Sequence, residues 1–457
     1  MAPMPLNDSM FLLAERREQP MHVGGLQLFH LPPGAGEDFL PSLYEQVVHA
    51  DDVAPLFRRR PYRPATSLGA WSWQQESSID LEHHIRHSAL PRPGRVRELL
   101  ALASRLHGTL LDRHRPLWEA HLIEGLEGDR FAVYSKIHHS LMDGVSALRL
   151  LAQTLSTDPD TRDMPMPWST QPGRRAQPSS KGLAGLLDVP VSAARTTLEL
   201  AGLGPIAGKA AVKALIDSSS HLPSLAPKTI LNQPITGARR FAAQSWTLER
   251  IRAVASQTGT TVNDVVLAMC SHALRQYLLD LDALPDDPLV AMTPVSLRQA
   301  GSDVGGNAVG ALLCNLATDL DDPAERLAAV HRSMEDGKAG MRSMTATQVT
   351  VTSAIAMSPM ILAMLPGVRR LANPAFNVVI SNIPGPAEPL YWNGARLEGI
   401  YPMSIPTDGQ ALNITVTSYN GNMEFGLTGC RRTVPHLQRL LVHLDDGLTA
   451  LEKVVAA

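Results

Sequence analysis

The sequence predicts an α/β (α+β) chain of two domains. Its 457 residues exceed the size at which one hydrophobic core keeps growing, which makes two units of roughly 150–220 residues the natural division. Helical and strand-like hydrophobic periods alternate in both halves. Between them, from about 158 to 240, Pro, Gly, Ser and Arg accumulate around an Ala- and Leu-rich piece, Leu183 to Ile216. The expected organisation is an N-terminal domain over 1–160, a crossover linker with that helix over 161–238, and a C-terminal domain over 239–457.

In chain order, Asn7-Asp8-Ser9 offers caps for a helix through Met10-Phe11-Leu12-Leu13, and His22 to Phe29 reads as a strand. Val96, Leu99, Leu100, Ala103, Leu106 and Leu110 recur at helical spacing. Strands follow over Trp118–Ile123 and Phe131–Ile137, and Val145, Leu148, Leu151, Ala152 and Leu155 mark the next helix. The second half predicts a strand at Phe241–Trp246, helices over Leu248–Gln257 and Val262–Leu279, and strands at Leu289–Val295 and Val309–Leu316. Helices then run to about 372, before strands at Phe376–Ile380, Leu412–Ser418 and Met423–Leu427 and a closing helix from Pro435 to Val455.

A net charge of −3 with mixed signs along the chain argues against a nucleic-acid partner. Cys270, Cys314 and Cys430 are few, distant and odd in number, which fits a reducing compartment better than a disulfide framework. The start, Met-Ala-Pro-Met-Pro-Leu-Asn-Asp, lacks the basic and apolar regions of a signal peptide. The most apolar stretch, Ala354 to Val368, is shorter than a membrane span and is interrupted by Pro359 and Pro366. No spanning helix is expected, and nothing in the sequence fixes an oligomeric state.

The chemistry concentrates in His138-His139-Ser-Leu-Met-Asp143-Gly144, between a predicted strand and a predicted helix. If the strand persists to its end, its alternation sends His138 and His139 to opposite faces, so the two have different jobs. A neutral imidazole can take a proton from a hydroxyl and return it to a leaving thiolate, the cycle that acyl transfer from a thioester needs. The acceptor alcohol is then the nucleophile, and no acyl-enzyme is required. A buried pair satisfied by backbone is the plainer reading of two histidines, and the spaced Asp-Gly favours the catalytic one. Two histidines and a carboxylate can also hold iron or zinc, but neighbours on opposite faces share one ion poorly, and no metal is expected. His83-His84 lacks an acidic residue at the matching spacing and reads as surface or structural. Gly204 to Ala210 misses the phosphate-loop spacing by one residue.

The His138–Gly144 string resembles the signature of the CoA-dependent, chloramphenicol-acetyltransferase-like acyltransferases. Pro116-Leu117-Trp118-Glu119, Asn263-Asp264-Val265-Val266-Leu267-Ala268, Ser381-Asn382-Ile383-Pro384-Gly385-Pro386, Met21-His-Val-Gly-Gly and His87-Ser-Ala-Leu-Pro-Arg-Pro-Gly resemble motifs of the bacterial wax ester synthase/diacylglycerol acyltransferases. The resemblance runs from Asp8 to about Gly429. It implies two chloramphenicol-acetyltransferase-like domains joined by a long crossover, with the active-site channel between them. It further implies His139 as general base, with His138 and Asp143 in support.

Pro294 to Arg298 followed by Gly306-Asn307 looks like the superfamily's Arg and Gly-Asn segment, so Arg298 is expected to pair with Asp143. Gly144, Asn263, Asp264 and Arg298 are the supporting or oxyanion candidates, and Pro116, Leu117, Trp118, Ser381 and Asn382 the channel candidates. Helix capping explains Asn263 equally well. An aromatic packed at a strand start explains Trp118, and a rigid turn explains Ser381 to Pro386. The Asp-Phe-Gly-Trp-Gly segment of the plant branch is absent, which favours lipid acceptors.

The resemblance therefore implies fatty acyl transfer from acyl-CoA, a substrate rather than a cofactor, to a long-chain alcohol or to diacylglycerol. No cofactor is expected. The implied location is cytoplasmic, at the periphery of the inner membrane or of lipid inclusions. Leu183–Ile216 is either an ordinary packed helix or a surface-lying one. The alternatives are a condensation-like enzyme acting on another alcohol or amine, and a catalytically silent protein of the lipid surface.

Overall fold

The computed structural model describes residues 2–50, 52–64, 70–169, 226–296, 309–342 and 374–456. Leu183–Ile216, Ala354–Val368, Gly204–Ala210, Arg298, Gly306 and Asn307 lie outside them.

Two six-stranded sheets organise the chain. The first has the order Tyr391–Trp392, Ala395–Met403, His22–His30, Arg130–His138, Trp118–Leu126, Ile85–Ala89. The second has the order Val309–Asn315, Val290–Ser296, Val378–Ile383, Leu412–Tyr419, Asn422–Cys430, Arg239–Thr247. Arg130–His138 is thus an inner strand, paired antiparallel with His22–His30 on one side and Trp118–Leu126 on the other. A small third sheet joins Ala2–Pro3, Ser72–Gln75 and Arg59–Tyr62.

The predicted strands all recur with ends moved by a few residues, and the helix Val262–Leu279 has the expected bounds. That helix is the core of the second unit: Val265 through Cys270 are all at most 3 % exposed, packed under the second sheet. Its apolar residues wrap most of its circumference, the pattern of a helix covered on several sides. It packs against the closing helix, Arg439–Ala456, and against Pro323–Arg342.

One feature runs across the expected division at 239. Ala395–Met403 leaves the second half and pairs antiparallel with His22–His30, so residues late in the chain complete the first sheet. Where that strand meets the second sheet, Gly426 permits the approach: a Cβ there would lie 2.0 Å from the carbonyl oxygen of Pro402. The two units are therefore stitched by a shared strand.

Candidate active site

The histidine pair ends an inner strand, and its two neighbours hold it at the backbone. The His138 N–H donates to the Leu117 carbonyl and the His139 N–H to the Met21 carbonyl, each at 2.9 Å. These opposed bonds are the alternation expected of a strand. The chain then turns, with the N–H groups of Leu141 and Met142 donating to the His138 carbonyl at 2.9 and 3.3 Å. Asp143 begins the helix Gly144–Gln153 as its N-cap, its carboxylate accepting from the Ser146 N–H at 2.8 Å. A Cβ placed on Gly144 would meet Val23 at 3.7 Å, so no described neighbour requires a glycine there.

The two imidazoles differ in environment. His138 is fully buried; its Nδ1 accepts from the Ser140 N–H at 3.1 Å and lies 2.7 Å from the Ser140 hydroxyl. With Nδ1 accepting, the proton belongs on Nε2, and Nε2 lies 3.3 Å from Oε1 of Glu15. Glu15 also accepts from the Met21 N–H at 3.2 Å and from Arg113 Nε at 3.0 Å. Burial works to raise the Glu15 pKa, but His138, Arg113 and the Met21 N–H outweigh it and hold the carboxyl below its ordinary value.

His139 is half-buried and stacks on Phe11 with ring centroids 4.1 Å apart and planes 19° from parallel. Burial pushes its pKa down to about 4, against the upward pull of the Asp143 carboxylate. A neutral ring at physiological pH follows.

Glu15 and Phe11 were not among the residues singled out from the sequence. Both belong to the first helix: Phe11 lies on Leu6–Ala14 and Glu15 is its C-cap. The available signal was an acidic residue opening the charged run Glu15-Arg16-Arg17-Glu18 after an apolar stretch, which local pattern cannot distinguish from a solvated helix end.

The remaining candidates fall into three places. Pro116, Leu117 and Trp118 are buried. The Trp118 ring stacks on His84 at 4.5 Å and on Trp168 at 5.1 Å, and its Nε1 donates to the Phe57 carbonyl at 2.9 Å. These contacts favour the packing reading of that segment, with the Leu117 carbonyl serving His138. His84, likewise structural, donates from Nδ1 to the Trp118 carbonyl at 2.8 Å.

Asn263 and Asn382 meet: Asn382 Nδ2 donates to Asn263 Oδ1 at 3.4 Å. Asp264 is fully buried and closes a capping box with Thr261, while its Oδ2 accepts from His331 Nδ1 at 2.8 Å. Beside half-buried Ser381 and Asn382, an open-mouthed pocket of about 310 Å³ lies between the helix Gly144–Gln153 and the Ile383–Pro386 turn. Leu148, Ala152, Ile383, Pro384 and Ile400 are among its mainly apolar lining. Among the described residues no group of three or more His, Cys, Asp or Glu is arranged to hold a metal ion.

Residues 4–266 match the wax ester synthase/diacylglycerol acyltransferase catalytic domain, and residues 305–452 match the WS/DGAT C-terminal domain. The chain belongs to this family. It is 51 % identical over 450 residues, 98 % of each chain, to a probable diacylglycerol O-acyltransferase (tgs2) of Mycobacterium tuberculosis. It is 43 % identical to the O-acyltransferase WSD of Acinetobacter baylyi, over all of this chain and 98 % of that one. Among solved structures, the wax ester synthase/diacylglycerol acyltransferase from Marinobacter aquaeolei VT8 superposes with a TM-score of 0.82 at 44 % identity, covering both chains fully. The first condensation domain of the calcium-dependent antibiotic synthetase, at 18 % identity and a TM-score of 0.57 over 100 % of this chain and 96 % of that one, shares the fold. The expected fold class and acyltransferase family are therefore both correct, and the chain is an acyltransferase of the WS/DGAT family. Among the described residues no helix is long and apolar enough to cross a membrane.

Proposed function

We propose that the protein transfers a fatty acyl group from acyl-CoA to the hydroxyl of a long-chain alcohol or of diacylglycerol, with His139 as general base. The observation that carries this reading is the inequality of the histidine pair. His139 is half-buried and kept neutral, whereas His138 is enclosed between Ser140 and Glu15. A neutral imidazole accepts the acceptor's hydroxyl proton as its oxygen attacks the thioester carbonyl. The resulting imidazolium returns that proton to the sulfur as the carbon–sulfur bond breaks, releasing CoA thiol and the ester. Asp143 supports the transient positive charge, and His138 with Glu15 keeps the strand end rigid. Asn263 and Asn382 are candidates for orienting the substrate or the tetrahedral oxyanion. The apolar pocket between Leu148 and Pro384 suits an alkyl chain.

Relatives named for diacylglycerol and for wax esters support the two acceptor classes, and such acceptors imply work at the periphery of a membrane or lipid inclusion. The decisive assay incubates the purified protein with palmitoyl-CoA and either hexadecanol or dioleoylglycerol, following free thiol and lipid product. Thiol release that requires an acceptor, and its loss in His139→Ala, is the expected result. No release with either acceptor, or undiminished turnover by His139→Ala, overturns the proposal.

A further inference from the structure

Directly after Glu15 the chain makes a tight turn. The Arg16 N–H donates to the Gln19 carbonyl at 3.2 Å and the Gln19 N–H to the Arg16 carbonyl at 2.9 Å, leaving Arg17 and Glu18 exposed between them. The turn packs against the seam between the two halves. A Cβ on Gly237 would lie 2.8 Å from the Arg17 carbonyl oxygen, and one on Gly108 would lie 2.9 Å from the Gly237 carbonyl oxygen. Three backbone segments thus meet at a closeness that a side chain at either glycine would obstruct. A fourth joins them, since the Arg431 N–H donates to the Ala238 carbonyl at 3.0 Å and the Arg432 guanidinium donates to the Pro234 carbonyl at 3.1 Å.

This junction gathers an excess of positive charge. Arg16, Arg17, Arg105, Arg431 and Arg432 are all exposed, with Glu18 as the exposed carboxylate beside them. Of the other nearby acids, Glu15 pairs with Arg113 and His138 and Asp112 with His114 and Arg115, while Asp408, which accepts from the Ile235 N–H, acts on Arg239 below. Beneath the rim, Arg239 is 5 % exposed and donates to the carbonyls of Thr236 and Glu18. Those acceptors are neutral; burial lowers the Arg239 pKa, and Asp408 is the carboxylate that acts on its charge without a hydrogen bond to it.

We infer that this arginine rim receives the phosphate groups of the acyl-CoA donor. The inference rests on the acyl-CoA reading above. Guanidinium groups suit phosphate oxygens through paired N–H donors, and a mainly positive patch steers an anionic ligand toward it. A lipid headgroup offers the same phosphate chemistry. The position of the rim favours the donor. Arg17 follows Glu15 by two residues, at most about 7.6 Å of chain, and Glu15 touches His138. A thioester held at the histidine pair carries its phosphates at the far end of the pantetheine arm, and the rim lies within that arm's reach, whereas a headgroup has no such tether to the reacting carbonyl.

The test compares kcat/KM for palmitoyl-CoA and for S-palmitoyl-pantetheine, which lacks the nucleotide and its phosphates. The native protein should prefer palmitoyl-CoA by about tenfold or more, a preference that falls as salt is added. In the double variant Arg17→Glu, Arg105→Glu the preference should shrink to within about threefold, with an unchanged circular dichroism melt as the folding control. Calorimetric affinity for 3′,5′-adenosine bisphosphate should weaken in parallel. An unchanged preference overturns the inference, as does an equal loss on both donors. Lost binding to phosphatidylglycerol vesicles with the donor preference intact assigns the rim to a lipid surface and also overturns it. If the native protein transfers from neither donor, the acyl-transfer reading fails by itself. The nucleotide titration then decides the rim, which falls if no binding is seen.

Discussion

Oε1 of Glu15 lies 3.3 Å from Nε2 of His138, and the side chains of both are at most 1 % exposed. The contact joins the end of the first helix to the strand that ends in the histidine pair. Because the Ser140 N–H occupies Nδ1 of His138, the carboxylate faces the protonated nitrogen and fixes one tautomer.

Removing this carboxylate should be costly in two ways. Glu15→Ala leaves His138 Nε2 and Arg113 without their shared partner, which should lower stability by about 2–4 kcal/mol. It should also reduce turnover, since the strand end loses its anchor. Urea unfolding and the thiol-release assay check both, and a variant as stable and active as the native protein would contradict the role of this contact.

Asp143 combines a cap with a charge, and Asp143→Asn separates them. Asparagine caps helices about as well as aspartate, so stability should change by less than about 0.5 kcal/mol. In the proposed mechanism the imidazolium formed on His139 then loses its neighbouring anion, so kcat should drop by roughly tenfold or more. Asp143→Ala should lose about 1 kcal/mol of stability in addition. Denaturation midpoints and kcat, measured on the same preparations, distinguish the two effects.

The pH dependence of activity follows from the depressed pKa of His139. Burial holds the ring near 4, below the ordinary 6.5, so the base form persists as pH falls through 6 toward 5. The acid limb of kcat/KM, which reports the free enzyme, should therefore lie well under 6.5. A limb centred at 6.5 or above would show that His139 is not held neutral by burial.

Stability should respond to acid in the same direction. His22, held well below its ordinary value, His84 and His139, near 4, and His107, near 3, are all depressed by burial. Below 6.5 the unfolded chain binds protons that the folded chain refuses, so their contribution is present above that pH and is lost as pH falls toward 3–4. Each proton difference is worth about 1.4 kcal/mol per pH unit. Urea midpoints should fall progressively from pH 7 to pH 5, and a flat profile would contradict the burial of these rings.

Two glycines of the motifs should behave oppositely. A Cβ on Gly385 would lie 2.1 Å from the Ser418 carbonyl oxygen, so Gly385→Ala should cost about 2 kcal/mol or more. At Gly144 the nearest described contact would be 3.7 Å. Gly144→Ala should fold normally, and any loss should appear in kinetics rather than in the melting temperature.

The sequence alone determined the local elements and singled out the His138–Gly144 string, because both depend on near neighbours along the chain. The period of Val262–Leu279 gave that helix its bounds, and the alternation through Phe131–Ile137 placed His138 and His139 at a strand end. Asp143 followed as the residue at the turn into the next helix. Tertiary structure decided everything that depends on residues distant in sequence. Ala395–Met403 belongs to the first sheet, although its position placed it with the second half, because strand pairing is not constrained by order along the chain. Trp118 is enclosed by His84, Phe57 and Trp168, a fate its own segment could not show. Glu15 and Phe11 reach the histidines only because the first helix packs across the strand end. What a charge or an aromatic ring does is set by what surrounds it, and for the histidine pair the decisive neighbours Glu15 and Phe11 stand more than 100 residues away in sequence.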